Sequence, residues 1–182
     1  MLFTFKVYLT DQDYYEFNKF TNANSRFGKK LFLFMRIIFV VCILSVPVST
    51  FVSDGITKDT VISVIPSFIL LFLLELLLIP FVNLMLKLNI SLLKKSGKMP
   101  YSQSSVIEFF ENSFTETTDT NKTEHTYSAI EKICVIGEKY VFIYISSVSG
   151  YIIPFPAFDS FKQRGEFLEF IKGKCPEIKY YK

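Results

Sequence analysis

The sequence predicts an α-helical membrane hairpin of two transmembrane helices, joined to a small α+β cytoplasmic domain. Three observations predict this fold class: two long apolar segments lie close together, basic residues cluster on their outer flanks, and short strand-like runs followed by one capped helix fill the last 83 residues (100–182). Half of the 182 residues are apolar (50%) and only 20% are charged, with a mean hydropathy of +0.34. This composition excludes a disordered polar chain and a strongly basic nucleic-acid-binding protein.

The N-terminal segment, residues 1–28, is predicted to contain one strand and one short helix. Apolar Phe3, Phe5 and Val7 alternate with other residues, which is the period of a strand with one apolar face. Thr10 and Asp13 have the spacing of a helix N-cap and its acidic third residue. The helix is expected to break over residues 22–28. Because a lone apolar edge strand is unstable in water, we expect residues 2–9 to pair with or pack on residues 101–182.

The central segment, residues 29–99, contains the two predicted spans. Residues 31–52 and 61–86 are almost continuously apolar, and as helices they would reach roughly 33 and 39 Å, enough to cross a hydrocarbon core of about 30 Å. Residues 53–60 (SDGITKDT) would join them as the loop of an antiparallel hairpin. A helical extension rich in lysine is predicted beyond the second span, ending at Gly97 and Pro100.

The distribution of basic residues predicts the orientation of the hairpin. Its outer flanks carry Lys19, Arg26, Lys29, Lys30, Lys87, Lys94, Lys95 and Lys98, whereas the connecting loop carries Lys58 alone. The positive-inside rule therefore predicts a multi-pass protein of the cell (cytoplasmic) membrane with both termini in the cytoplasm. Six lysines nearest the spans are expected to contact anionic headgroups of the lipid bilayer: Lys29, Lys30, Lys87, Lys94, Lys95 and Lys98.

The last segment, residues 100–182, predicts short antiparallel strands and a terminal helix. Strand-like runs separated by turn signals occupy residues 105–110, 113–118, 123–127, 131–136, 140–146 and 150–154. Ser160 and Gln163 have capping-box spacing, and Gly173 marks the end of the helix that follows. One helix at the end of such a sheet is the expected lid of an open barrel or bent sheet.

Several segments resemble those of the YcxB-like proteins, a family of small bacterial membrane proteins. They are LTDQDYYEFN near the start, the two-span hairpin, YSAIEKI, YVFIYISSVSGYIIPFPAF, and GEFLEFIK near the end. The resemblance implies that residues 100–182 form an antiparallel pleckstrin-homology-like (PH-like) sheet capped by the C-terminal helix. It implies no established activity, substrate or cofactor. Relatives often carry a basic pair after YIIP, where this sequence has Phe155 and Pro156.

The sequence predicts neither an enzyme nor a cofactor or metal site. The only histidine is His125, and Cys42, Cys134 and Cys175 are widely spaced, so the ligands of a usual zinc site are lacking. No pairing of a nucleophile with a base is visible, and no glycine-rich phosphate loop is present. We therefore expect no catalytic residues.

Glu75 and Arg36 are the candidate intramembrane polar residues. Glu75 lies near the middle of the second span, where an unpaired carboxylate costs several kcal/mol. Three interpretations are open: a neutral Glu75 hydrogen-bonded to Ser45 or another polar group within a hairpin or oligomer, an ion pair with Arg36, or a proton or ion path.

Two functions follow from these patterns. The leading hypothesis is an integral membrane protein whose cytoplasmic module binds an unknown protein partner or a lipid headgroup, without chemistry. The alternative is a subunit of an oligomeric transporter or channel that uses Glu75, which would require a homo-oligomer because two helices cannot enclose a conduit. Nucleic acid is not an expected partner, because the last 83 residues are acidic overall.

Overall fold

The computed structural model describes residues 1–97 and 99–181. In chain order the elements are β1 (Phe3–Tyr8), α1 (Asp11–Asn24), α2 (Arg26–Asp54), α3 (Lys58–Lys95), β2 (Ser104–Phe109), β3 (Ser113–Thr118), β4 (Lys122–Thr126), β5 (Lys132–Ile136), β6 (Tyr140–Tyr144), β7 (Gly150–Pro154), α4 (Phe161–Lys172) and β8 (Ile178–Tyr181). Two short 3-10 turns, Tyr127–Ala129 and Phe155–Ala157, lie between strands and before α4.

Helices α2 and α3 form an antiparallel hairpin, and both are long and apolar enough to cross a membrane. Their connection is shorter than the eight residues expected, since only Gly55, Ile56 and Thr57 lie between the helices. The expectation was wrong because polar residues at the span ends continue the helices. Thr57 caps α3 by accepting a hydrogen bond from the Thr60 amide (3.2 Å), and Gly55 takes the positive φ of 73° that ends α2.

The break between α1 and α2 is a single residue, Ser25, and not the seven-residue stretch expected. Ser25 caps α2 by accepting a hydrogen bond from the Gly28 amide at 2.9 Å. A Cβ atom at position 28 would overlap the Asn22 carbonyl group, so glycine lets the two helices meet closely there. The predicted loop was too long because the polar composition of residues 22–28 suggested a break. The local capping bond of Ser25 instead allows helix on both sides of this residue.

The strands form two four-stranded sheets. The first has the order β1-β2-β3-β4 and is antiparallel throughout, with Phe5 opposite Ile107 and Tyr8 opposite Ser104. Strand β1 therefore pairs with a strand that lies on the far side of the hairpin in the sequence. The second sheet has the order β7-β6-β5-β8, in which β8 pairs parallel with β5. Strand β8 was not predicted. Because it pairs in parallel with β5, and because the strands divide into two sheets, the domain is not a single antiparallel sheet.

The main core lies between the two sheets and α4. Phe167 of α4 is fully buried, and its ring contacts those of Phe5 and Phe109 at centroid distances of 4.9 and 4.8 Å. The predicted cap of α4 is present, because the Ser160 hydroxyl accepts a hydrogen bond from the Gln163 amide (3.1 Å). The C-terminal helix is thus confirmed as the element that closes the core.

A second apolar cluster lies on the opposite face of the second sheet. Phe142 and Tyr144 of β6 point away from the main core and pack against Phe17 of α1. This sheet is therefore covered on both faces, by α4 and the first sheet on one side and by α1 on the other. The aromatic face of β6 is a packing surface for α1.

Candidate functional site

An ion pair joins the two hairpin helices. The Arg36 Nε atom of α2 lies 3.1 Å from Oε2 of Glu75 on α3. Ser45, the expected hydrogen-bond partner of Glu75, instead donates its hydroxyl to the Cys42 carbonyl within its own helix (2.7 Å). A hydroxyl in a helix bonds readily to the carbonyl three or four residues before it, and this local acceptor takes the Ser45 proton. The structure thus places Glu75 beside Arg36.

The juxtamembrane lysines that the structure describes differ in their contacts. Lys87 stacks over the Tyr15 ring of α1 at 5.2 Å, and Lys94 forms an ion pair with Asp11 at 2.6 Å. Lys30 and Lys95 are exposed, and Lys29 lines a crevice described below. Lys98 lies outside the described residues. Two of these lysines therefore attach α1 to α3.

Helix α1 is held to the hairpin through Asp11. Besides its ion pair with Lys94, Asp11 accepts a hydrogen bond from the Tyr101 hydroxyl (2.9 Å). The hydrogen bonds from Lys94 and Tyr101 lower the pKa of the Asp11 carboxyl. Burial and the neighbouring carboxylate raise the pKa of Tyr101, which keeps this phenol protonated as a donor.

The opposite side of α1 is held to the second sheet. The Tyr140 hydroxyl donates to Asp13 (2.8 Å), and the hydroxyls of Thr21 and Tyr144 share a hydrogen bond of 2.7 Å. Thr21 is buried, and burial raises the pKa of the Tyr144 phenol. Since α1 also packs on α2 and α3, it connects the sheet domain to one end of the hairpin.

A polar cavity of about 380 Å³ opens beside this junction, between α1, the first sheet and the β6–β7 turn. Tyr14 and Tyr101, whose rings stack at 4.8 Å, form part of its wall, and Ser105, Glu116 and Tyr151 contribute polar atoms. Desolvation raises the pKa of the Glu116 carboxyl, against the opposing effects of Ser105 and His125. Among the described residues that line the cavity, none is a lysine or arginine.

The remaining residues with reactive or metal-binding side chains are dispersed. Cys42 is exposed and Cys134 is buried, and burial raises the pKa of the Cys134 thiol. The His125 ring packs beside Phe114 and Tyr151 at centroid distances of 5.5 and 5.8 Å. Over residues 1–97 and 99–181, no group of three or more His, Cys, Asp or Glu side chains has the arrangement of a metal site.

The residues that follow YIIP form a 3-10 turn. The Arg164 guanidinium of α4 lies over the Phe155 ring of this turn, 5.1 Å from its centroid. A positive charge is therefore supplied near this turn from α4.

These features define a class of protein: a hairpin of two long apolar helices that carries a two-sheet domain at one end. Residues 109–171 match the model of the YcxB-like proteins. The chain therefore contains a YcxB-like domain, as its resemblance to that family predicted. The matched segment runs from the end of β2 into α4, so β1, α1 and the hairpin lie outside it. No curated protein and no solved structure matches the chain.

Proposed function

We propose that this chain is an integral protein of the cell (cytoplasmic) membrane, with both termini in the cytoplasm, and that its YcxB-like domain is an interaction module without catalytic chemistry. The observation that carries the proposal is the attachment of α1 to both parts of the molecule. Lys94 of α3 forms an ion pair with Asp11, and the Tyr140 hydroxyl of β6 donates a hydrogen bond to Asp13. A domain held in this way presents a defined surface at a fixed height above the bilayer.

The exposed apolar surface of the hairpin supports insertion into a membrane. Only 6% of the apolar window in α2 and 11% of that in α3 is buried within the chain. In water such large uncovered apolar surfaces are unfavourable, whereas hydrocarbon solvates them. The basic flanks of both helices favour the cytoplasmic placement of the domain.

The polar cavity next to α1 supports the interaction role. The antiparallel strands and the helix α4 that follows them support the part of this proposal in which the module is PH-like, as the family resemblance implies. The Glu116 carboxyl and the neighbouring hydroxyls can accept hydrogen bonds, and no cation lines the cavity in the described part of the chain. This chemistry suits a protein segment that donates hydrogen bonds better than it suits a phosphate.

Site-specific photo-crosslinking tests the interaction role. A photoreactive residue in place of Val148, an exposed residue at the cavity rim, is expected to crosslink a protein partner in living cells. The same residue in place of Lys162, whose side chain is 86% exposed on α4, serves as the control because Lys162 does not line the cavity. Equal crosslinking from both positions, or none from position 148, would contradict the proposal.

The orientation of the hairpin is tested by reporter fusions. A reporter that is active only outside the cytoplasm should give a signal when it is inserted at Gly55, in the turn between α2 and α3. The same reporter fused after the last residue should be silent, because the basic flanks hold both ends of the chain in the cytoplasm. A signal from the C-terminal fusion and silence at Gly55 would reverse the assignment.

A role as a transporter or channel subunit rests on Glu75 alone. The Arg36 side chain provides this carboxylate with a partner inside one chain, which favours a structural role for Glu75 in the hairpin. The transport hypothesis also needs a homo-oligomer. A purely monomeric protein in detergent would therefore exclude it while leaving the interaction role intact.

A further inference from the structure

A crevice of about 350 Å³ lies where α1, α2 and α3 converge. Each helix turns one face toward it, since the lining residues recur at the three- and four-residue spacing of a helical stripe. Lys19, Lys29 and Arg36 supply positive charge, and Asn22 and Asn83 supply amide groups. The rest of the lining is almost entirely apolar. This crevice is separate from the polar cavity of the sheet domain.

The crevice has a local excess of positive charge. Arg36 is paired with Glu75, whereas Lys19 is 3.9 Å from Glu16 in an exposed contact, which is a weak interaction. No carboxylate of the described residues lies within 4.0 Å of the Lys29 ammonium group. None of the lining side chains is acidic. An anion would therefore be attracted to the space between Lys19 and Lys29.

The unpaired positive charge of the crevice lies at its headgroup end. Lys29 lies in the first turn of α2, whereas Arg36 lies seven residues further on, or about 10 Å along the helix. Phe32 and Leu33 on α2, and Ile79 and Val82 on α3, form apolar walls beyond the lysines. The two lysines therefore lie at the headgroup end of the crevice, and the walls beyond them are apolar except for Asn83 and for Arg36, whose charge is paired with Glu75.

We propose that this crevice binds one anionic phospholipid, whose phosphate lies between Lys19 and Lys29 while an acyl chain follows the apolar walls. The inference rests on the proposed insertion of the hairpin into the membrane, which brings phospholipids alongside the crevice. A phospholipid matches both parts of the lining at once. Inorganic phosphate would satisfy the lysines and leave the apolar walls bare.

Lipid titration of the full-length protein tests this assignment. The protein is delipidated in detergent and titrated with phosphatidylglycerol, phosphatidylcholine or inorganic phosphate, and bound lipid is counted by native mass spectrometry. We expect one phosphatidylglycerol molecule to bind more tightly than either of the other probes. The Lys29→Gln variant should weaken this binding roughly tenfold, the change expected when one charge-assisted hydrogen bond is lost.

Lys30→Gln is the matched control. Lys30 is the next residue of α2, is likewise exposed and has the same charge, but does not line the crevice. Its replacement should change phosphatidylglycerol binding less than twofold. Equal weakening by both variants would show general surface attraction, and equal binding of inorganic phosphate would show an anion site only; each result would overturn the lipid assignment.

Cell fractionation before detergent extraction separates failure of this inference from failure of the proposed function. If the protein fractionates with membranes but the two variants bind lipid alike, the crevice assignment is wrong and the membrane anchor stands. If the protein is recovered in the soluble fraction, the anchor itself is wrong, and the crevice assignment falls with it.

Discussion

Deleting residues 1–10 is expected to lower the protease resistance of the sheet domain sharply in the detergent-solubilised protein. The deletion removes β1, the edge strand that pairs with β2 along its whole length. It also removes Phe5, which is fully buried among Phe109, Phe158 and Phe167. Loss of one buried phenylalanine side chain costs about 3–5 kcal/mol, against a typical domain stability of about 5–15 kcal/mol.

Two single substitutions on the same strand make this prediction specific. Phe5→Ala should reproduce much of the deletion, because it leaves a cavity at the centre of the main core. Tyr8→Ala is the matched control, since Tyr8 is also aromatic but is 69% exposed, and its loss should change stability by less than about 0.5 kcal/mol. Limited proteolysis over a temperature series measures all three proteins. Wild-type resistance in the deletion variant would show that β1 is dispensable.

Breaking the Arg36–Glu75 pair from one side is expected to destabilise the hairpin more than removing both partners. In the proposed membrane-inserted hairpin, either residue left alone is an uncompensated charge, which costs about 3–5 kcal/mol. The double variant Arg36→Gln/Glu75→Leu leaves no charge at this depth, so its stability should lie within about 1 kcal/mol of the wild type. Denaturation by SDS in mixed micelles measures the wild type, both single variants and the double variant.

Ser45→Ala provides the control for this cycle. Its hydroxyl bonds only within α2, so the substitution should have a small effect and should add independently to either charge variant. Additive losses for Arg36→Gln and Glu75→Leu would contradict a functional ion pair, because paired groups give a coupling energy in the double-mutant cycle.

Local patterns predicted most of the individual elements. The alternation in residues 3–9 predicted β1, the Thr10–Asp13 spacing predicted the capping box of α1, and Ser160 with Gly173 predicted the limits of α4. Each of these signals extends over only a few neighbouring residues, so it can be identified from the sequence alone. Strand β8 was missed because it has only four residues and pairs in parallel with β5, a partner that no local pattern identifies.

The candidate sites depended more strongly on tertiary structure. Arg36 and Glu75 were singled out from their depth in the spans, but the choice between Ser45 and Arg36 as partner needed the rotation of α2 against α3. The crevice between α1, α2 and α3 was not predicted, because it combines the faces of three helices. The sequence contains the helical stripe of α2, with Lys29 and Arg36 seven residues apart. Only the tertiary structure shows that Lys19 of α1 lines the same crevice.

The order of strands in the first sheet has a consequence for biogenesis. Strand β1 is synthesised before the hairpin and β2 after it, so the whole hairpin separates two neighbouring strands. On the proposed topology, β1 leaves the ribosome without its partner, and the sheet can close only after both helices have entered the bilayer and returned the chain to the cytoplasm. A hairpin that inserts with one helix translocated incorrectly would leave β1 and β2 on opposite sides of the membrane. Folding of the sheet domain thus reports that the anchor has been inserted correctly, and a misinserted copy would expose an unfolded domain to cellular proteases.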